Sequence, residues 1–231
     1  SLRGGELVRL SGLSCRLPHG RPIVAGMDLS IERGVNMLIQ GPSGSGKTSL
    51  LRYIRGLWHL RPDEGKVTSN LSLGTSGVMF LPQRPYVFSG TLQRLITYPR
   101  DNPHAPEPSW EEEGSGLVGS LMDALELGHL LSRADGWNTN QPWHDLLSLG
   151  EQQRISLIRL IYHRPALAFL DECTSALSTE TESLVYRLLA EHKITVVSVA
   201  HRPSVAAFHH KLLTLDGRGG WNLTALPAAG Q

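Results

Sequence analysis

The apolar and polar positions of this chain follow two different periods. Short apolar runs bounded by turn residues predict β-strands, and apolar residues three and four positions apart predict amphipathic helices. The predicted strands cover residues 7–13, 23–31, 35–39, 66–73, 78–81, 167–170, 194–199, 208–215 and 221–226. The predicted helices cover residues 47–56, 91–98, 117–131, 150–162 and 179–192. Strands that alternate with helices indicate an α/β fold.

The stretch over residues 84–165 differs from the rest because its predicted elements are helical. We interpret it as a helical subdomain inserted into a core that consists of residues 1–83 and 166–231, so that the chain forms one domain. Within the insert, residues 99–116 combine prolines with the run Glu111-Glu112-Glu113. That composition is typical of a solvated surface loop, and a functional acidic patch is the alternative.

Composition narrows the class of protein. The chain has 231 residues, of which 40% are hydrophobic, and a formal net charge of +1, so no nucleic-acid partner is expected. Two cysteines, Cys15 and Cys173, are too few for a disulfide framework and fit a reducing compartment. No apolar run reaches the roughly 18 residues of a membrane span. The chain begins without Met, so we expect a fragment boundary there, with room for a membrane segment upstream.

The first candidate chemistry lies between the strand over residues 35–39 and the following helix. Gly41, Gly46, Lys47 and Thr48 fill the pattern G-x-x-x-x-G-K-[ST]. In that pattern backbone N–H groups cradle phosphates, the lysine reaches the β- and γ-phosphates, and the hydroxyl binds Mg²⁺. A chance Gly/Ser turn is the alternative, which the flanking strand and helix disfavour. The predicted phosphate-binding residues are Gly41, Pro42, Ser43, Gly44, Ser45, Gly46, Lys47, Thr48 and Ser49.

Two acids follow the apolar strand over residues 167–170. Beside a phosphate-binding loop, Asp171 can hold Mg²⁺ and Glu172 can orient and deprotonate an attacking water. A strand end with two solvated acids is the alternative.

A helix start precedes these acids by about twenty residues. Ser148 caps the predicted helix, and Glu151 three residues later completes a capping box. Capping alone explains both residues. Since a free helix N-terminus also attracts anions, a functional interpretation adds to the capping and does not replace it.

Two further polar residues follow apolar strands. Gln83 comes after the strand over residues 78–81 and is a candidate ligand of Mg²⁺ or water, and His201 comes after the strand over residues 194–199. Ligands of doubly wound sheets bind at this edge. A histidine with only a structural role is the alternative for His201.

Taken in order, the phosphate loop, Gln83, the segment Leu147-Ser148-Leu149-Gly150-Glu151, the acid pair and His201 resemble the ATP-binding-cassette ATPase domain of ABC transporters. The resemblance spans nearly the whole chain. It implies a P-loop NTPase with ABC-type architecture, in which a RecA-like mixed sheet core carries an antiparallel β subdomain and an inserted α-helical subdomain.

The resemblance also implies roles for these residues. The loop matches the Walker A motif, Asp171 the Walker B acid that binds Mg²⁺, and Glu172 the hydrolytic base. Gln83 matches the Q-loop glutamine, a Mg²⁺ contact that signals to a transmembrane domain, and His201 the switch histidine. The signature residues Ser148, Gly150 and Glu151 would close on ATP held by a second cassette, so that two ATP molecules lie in a head-to-tail dimer.

Finer features resemble subfamily D half-transporters and their SbmA/BacA-like relatives. Among them are Leu81-Pro82-Gln83-Arg84-Pro85-Tyr86 and the run from Trp143 to Ser148. The chain departs from the common family pattern at four positions. Leu149 replaces Gly and Glu151 replaces Gln in the signature, Ser178 replaces the Asp of the D-loop, and Leu17 stands where an adenine-stacking aromatic is expected, which predicts weaker binding of the base.

The leading hypothesis is therefore a Mg²⁺-dependent ATPase that drives a half-transporter for fatty acyl, acyl-CoA, cobalamin or peptide-like substrates. Its expected partners are a transmembrane domain fused upstream and a second cassette, identical or different, at the cytosolic face of a plasma, peroxisomal or other organellar membrane. The rivals are a soluble ABC-type ATPase without a transport role and a cassette that binds ATP without hydrolysing it.

Overall fold

The computed structural model describes residues 2–72, 74–99, 116–133 and 137–227. In the first half of the chain the elements are β1 (Glu6–Arg16), β2 (Pro22–Glu32), β3 (Met37–Gln40), α1 (Lys47–Arg55), β4 (Lys66–Ser69), β5 (Val78–Leu81), β6 (Ser89–Gly90) and α2 (Leu92–Thr97). The elements that follow are α3 (Leu117–Ala124), α4 (His129–Arg133), β7 (Gln141–Pro142), α5 (Trp143–Leu146), α6 (Leu149–His163), β8 (Leu167–Asp171), α7 (Thr179–Glu191), β9 (Thr195–Val199), the 3-10 helix Pro203–Phe208, β10 (Lys211–Leu215) and β11 (Trp221–Ala225).

A six-stranded sheet in the order β11-β10-β3-β9-β8-β5 forms the centre of the fold. All neighbouring pairs are parallel except β10 and β11, which form an antiparallel hairpin. Strands β8 and β9 are buried over their whole length, as expected for apolar runs covered on both faces. The predicted α/β fold with a mixed sheet is confirmed.

The two faces of this sheet belong to different hydrophobic clusters. Leu38, Ala168 and Val196 point to a cluster that also contains the apolar residues of α2, α3, α6 and α7. Their sequence neighbours Met37, Phe169 and Val197 point to the opposite cluster, which contains α1. This alternation follows from the two-residue period of a strand, and it places α1 and α6 on opposite sides of the sheet.

A second sheet, in the order β2-β1-β4, is antiparallel and packs on the α1 side. Strands β1 and β2 run over 11 residues each and extend past both ends of the predicted strands. Ile23 and Leu13 are fully buried in the cluster that this sheet shares with α1.

The stretch between β5 and β8 contains α2 to α6 and the short pair β6-β7. The predicted helix over residues 117–131 is divided into α3 and α4, because Leu125 ends α3 and Glu126 adopts a positive φ of 55°. Trp143 is fully buried, and its indole Nε1 donates a hydrogen bond to the Gly90 carbonyl over 2.8 Å. Residues 100–115, most of the predicted surface loop, lie outside the described residues.

Most predicted element ends lie within a few residues of the observed ones, with two differences. Phe208, predicted in a strand, ends the 3-10 helix that Pro203 begins, because the proline presets helical φ at a first-turn position. The polar strand predicted over residues 66–73 ends at Ser69. None of the helices in the described ranges is both long and apolar enough to cross a membrane.

Candidate nucleotide site

The carboxyl ends of the parallel strands bring the predicted catalytic residues together at one edge of the sheet. Strand β3 leads into the phosphate loop and α1, β5 into Gln83, β8 into Glu172, and β9 into His201. Parallel strands present their carboxyl ends to the same side, which is where open α/β sheets bind ligands. These residues come from segments that are up to 154 positions apart, from Lys47 to His201, so only the fold can assemble them.

The phosphate loop follows a path that side chains at two of its glycines would block. A Cβ on Gly46, which has φ of +96°, would lie 2.8 Å from Cγ1 of Ile23, and one on Gly41 would lie 2.5 Å from the Leu215 carbonyl oxygen. Among the residues that the structure describes, the buried hydroxyl of Ser45 finds no hydrogen-bond partner, and Arg21 donates to the Gly44 carbonyl. A backbone cradle this close to its surroundings fits a phosphate chain.

Lys47, the first residue of α1, is only 7% exposed. Its Nζ donates hydrogen bonds to the carbonyls of Gly41 and Pro42, each over 3.0 Å. Burial lowers the pKa of Lys47, and the charges of Glu172 and Asp171 partly offset this. The ammonium group is thus held within the loop, where an added anion would stabilise its charge.

Thr48 and Asp171 meet directly, since the Thr48 hydroxyl donates to Oδ1 of Asp171 over 2.9 Å. Burial raises the pKa of Asp171, the hydrogen bond from Thr48 lowers it, and the charge of Glu172 raises it further. A hydroxyl and a carboxylate are the hard oxygen ligands that Mg²⁺ prefers, so these residues fit the ion. Within the described ranges, no group of three or more His, Cys, Asp or Glu side chains could hold a metal ion.

Glu172 is held between two of the other predicted residues. Oε2 accepts a hydrogen bond from Nε2 of Gln83, and Oε1 lies 3.1 Å from Nε2 of His201, the same distance as that from Gln83. The backbone of Glu172 has a positive φ of 52°, and its N–H donates to the Val199 carbonyl over 3.0 Å. A left-handed conformation is costly for a residue with a Cβ, so the site enforces the direction of this carboxylate.

The signature residues lie at the start of α6 and are satisfied locally. The Ser148 hydroxyl accepts from the Glu151 N–H over 3.3 Å, and Oε2 of Glu151 accepts from the Ser148 backbone N–H over 2.8 Å, which completes the predicted capping box. Oε1 of Glu151 lies 2.9 Å from Nε2 of His129. A Cβ on Gly150 would approach the Ala176 carbonyl to 3.4 Å. Among the described residues, these signature side chains make no hydrogen bond to the phosphate loop.

The residues that depart from the common pattern have identifiable surroundings. Ser178 caps α7 by accepting a hydrogen bond from the Thr181 N–H, so it retains the capping that an Asp would provide. Leu17 is half-buried against the cluster of the antiparallel sheet, and Leu149 is 46% exposed. Cys173 is buried and forms no disulfide.

Sequence reasoning missed two residues that contact this site. Gln153 on α6 is fully buried and donates to the Gln83 carbonyl, and Arg202 donates to the carbonyls of Ser175 and Leu177 in the loop after Glu172. A glutamine within the buried face of a helix is a detectable signal, because buried polar groups need partners. Arg202 follows His201 directly but has no comparable pattern.

Comparisons with known proteins identify the family of this chain. A family model described as "ABC transporter" matches residues 24–175. ATP-binding cassette sub-family D member 3 of Rattus norvegicus is 33% identical over 226 residues, which cover 95% of this chain and 32% of the relative. The lysosomal cobalamin transporter ABCD4 of Mus musculus is 39% identical over 212 residues, which cover 89% of this chain and 34% of the relative.

A solved structure gives the same result. The chain resembles a bacterial Atm1-family ABC exporter with ATP bound, with a TM-score of 0.74 and 25% identity, over 95% of this chain and 38% of the exporter chain. The chain thus spans about a third of the length of the curated relatives it matches. The predicted resemblance to subfamily D is confirmed by these relatives. Because the family model covers well over half of the sequence, the chain belongs to the ABC transporter family, in which it forms the nucleotide-binding cassette.

Proposed function

We propose that this chain is a Mg²⁺-dependent ATPase cassette that powers an ABC half-transporter. The observation that carries the proposal is the position of the Glu172 carboxylate, held between the Gln83 amide and the His201 imidazole. This arrangement stands at the same sheet edge as Lys47 and Thr48, so a base for water lies beside a cradle for phosphates.

In the proposed reaction the residues mainly position groups and stabilise charge. The phosphate loop and Lys47 bind the β- and γ-phosphates of ATP, and Glu172 orients a water in line with the γ-phosphorus and accepts its proton. His201 contacts the γ-phosphate and the same water. Thr48, Asp171 and Gln83 would hold Mg²⁺, which would supply charge neutralisation at the phosphate oxygens.

The signature residues serve a second copy of the site. Ser148, Gly150 and Glu151 belong to an exposed helix start whose side-chain hydrogen bonds are satisfied within the chain. The N-terminus of a 15-residue helix attracts anions, so in a head-to-tail dimer it can close on the γ-phosphate bound by the other cassette. The partner cassette is identical or different.

The transport role rests on the relatives. Because the chain spans about a third of their length, we propose that a membrane domain is joined to it and that the cassette lies at the cytosolic face of an organellar or plasma membrane. One relative is named a lysosomal cobalamin transporter, so the candidate substrate classes are cobalamin, fatty acyl, acyl-CoA and peptide-like compounds. About six hydrophobic spans encoded upstream of Ser1 would support this arrangement.

Substitution of the proposed base tests the enzyme. Glu172→Gln retains the shape and the acceptor oxygen of the side chain but cannot take a proton, so we expect turnover to fall by about a thousandfold with ATP binding intact. The matched control is Glu191→Gln, at the exposed end of α7, which leaves turnover unchanged. Hydrolysis by Glu172→Gln at a near-normal rate would refute the assignment of the base.

The same assay separates the rivals. Steady ATP turnover by the purified protein dismisses a cassette that only binds ATP. Turnover that rises on addition of DNA or RNA would instead favour a soluble ABC-type ATPase, against the expectation from the near-neutral net charge of +1.

A further inference from the structure

The loop that follows Glu172 is held by polar side chains from three different elements. This segment, the 174–178 loop, connects the end of β8 to α7. A cavity of about 120 Å³ separates it from the end of β9 and is lined by Glu172, Thr174, Ser175, Glu182, Ala200, His201 and Arg202. Leu177 anchors the end of the loop in the hydrophobic core, and on the side of the cavity, where packing atoms are missing, the loop is held by hydrogen bonds.

Gln153 holds the loop from the side of α6. Its Nε2 donates to Oγ of Ser175 over 3.2 Å and to the Gln83 carbonyl over 3.3 Å, and its Oε1 accepts from the Ala176 N–H over 3.0 Å. The side chain is fully buried, so each of these hydrogen bonds lacks competition from water. One side chain therefore joins the backbone of Gln83 to the 174–178 loop.

Arg202 holds the same loop from the side of β9. Its guanidinium donates to the Leu177 carbonyl over 2.7 Å and to the Ser175 carbonyl over 3.1 Å. It also reaches Oε2 of Glu182 over 3.4 Å, and the second oxygen of that buried carboxylate accepts from the Thr174 hydroxyl over 2.6 Å. Because only a planar fork can span these acceptors at once, arginine is specifically required.

These contacts close a ring around the base. Gln83 and His201 hold the two oxygens of Glu172, Gln153 connects the backbone of Gln83 to the loop, and Arg202 is the direct neighbour of His201. We propose that Gln153 and Arg202 are positioning residues, which hold Gln83 and His201 at hydrogen-bond distance from Glu172 by fixing the 174–178 loop between them. The inference rests on the proposed ATPase function, and neither residue contacts the reacting atoms.

Steady-state ATPase kinetics of the full chain test this role. Gln153→Met retains the volume of the side chain and removes its hydrogen bonds, and Gln153→Glu retains only the acceptor for the Ala176 N–H. We expect kcat to fall about tenfold in both variants with KM changed less than about twofold, because the base is displaced while the phosphate loop is intact. The control is Gln152→Met, which loses one hydrogen bond to the Leu147 carbonyl and leaves both constants unchanged.

Arg202→Lys supplies a second variant at a partly exposed position, where folding tolerates substitution. A lysine retains the charge but cannot span both carbonyls, so kcat falls with KM unchanged. In the double variant Gln153→Met with Arg202→Lys, kcat should fall by clearly less than the product of the two single reductions in kcat, since both residues act through one loop.

The outcomes separate this inference from the proposed function. A wild-type chain that does not hydrolyse ATP overturns the ATPase assignment, and the inference falls with it. If the wild type does hydrolyse ATP, three results would overturn the positioning role alone. They are an unchanged kcat in Gln153→Met, a KM that rises in parallel with the loss of kcat, and a double variant whose kcat falls by the full product of the two single reductions.

Discussion

The polar and charged groups of the cassette find their partners differently at the carboxyl edge of the sheet and at the start of α6. At the sheet edge, Lys47, Asp171 and Glu172 bring one positive and two negative groups together, and burial shifts the pKa of Lys47 down and that of Asp171 up. At the start of α6, Ser148 and Glu151 form a capping box whose hydrogen bonds stay within one turn of helix.

This difference in local satisfaction is explained by the ligand that we propose for each region. The sheet edge holds groups that are costly to bury, because burial disfavours their charged forms until phosphate and a cation share the site. The side-chain hydrogen bonds of the signature are already satisfied within the chain, and Leu149 beside them is exposed. In the proposed dimer this helix start would face an anion. Under the proposed function, the sheet edge would bind the nucleotide of its own chain, and the signature would close on the nucleotide of a second cassette.

The largest expected effect on the sheet edge comes from loss of the Lys47 side chain. In Lys47→Ala the phosphates lose their buried cation, so we expect nucleotide affinity to fall by about tenfold or more and turnover by about a hundredfold or more. Titration with a fluorescent ATP analogue and a phosphate-release assay measure these effects. Exposed Lys66→Ala is the control, and unchanged affinity together with unchanged turnover in Lys47→Ala would refute the phosphate contact.

Mixing two inactive variants tests whether the signature serves another chain. Lys47→Ala damages the sheet edge and Ser148→Ala the signature. In a randomly assembled mixed head-to-tail dimer one site carries both defects and the other neither, so about a quarter of wild-type turnover should return. Ser148→Ala also removes a helix cap worth about 1 kcal/mol, which melting curves of the single variant quantify.

The matched control mixes Lys47→Ala with Glu172→Gln. Both substitutions lie at the sheet edge, so each site of the mixed dimer has one defect and turnover stays absent. Recovery in this control, or failure of the first mixture to recover in a dimer that demonstrably exchanges subunits, would contradict a site shared between two chains.

The smallest expected effect is a change in melting temperature that reflects the free-energy cost of burying the Asp171 carboxylate. Its pKa is raised by burial, so the folded protein binds this proton more tightly than the unfolded chain does. The stability that the group contributes is therefore present at low pH and is lost as the pH rises through its folded pKa. Asp171→Asn has no carboxyl to ionise, so it should not lose this stability at neutral pH. We expect its melting temperature without nucleotide to be higher there, by about 2–4 °C for each kcal/mol gained in the free energy of unfolding.

Calorimetry across pH measures that difference, which should vanish in acid. Asp63→Asn, at an exposed turn, is the control and leaves the melting temperature unchanged. A lower melting temperature for Asp171→Asn at neutral pH would show that the ionised carboxylate stabilises the empty site. Turnover of Asp171→Asn should be lost in either case, since Asn is a poor substitute as a ligand of Mg²⁺.

Much of the fold was predictable because local patterns and tertiary structure agree. Strands β8 and β9 lie at or within one residue of their predicted ends, and α6 begins at Leu149, next to its predicted start, because Ser148 and Glu151 cap it. The division of α3 from α4 was not predictable from apolar spacing, since the apolar positions continue across Glu126, where a positive φ interrupts the helix. Arg202 was missed for a related reason, because its two shorter hydrogen bonds go to backbone carbonyls, which leave no trace in side-chain identity.

The amino-acid sequence by itself determined which chemical groups the cassette carries and in what order. Glycines at 41 and 46, a lysine and a hydroxyl after them, and two acids after an apolar strand are evident from the sequence alone, because the local backbone path dictates those residue types. Only the tertiary structure decided that Glu172 is held by Gln83 and His201, and that Gln153 and Arg202 support this arrangement from behind. Such contacts join strands that are neighbours in the sheet and distant in the chain, and no local pattern encodes distances between them.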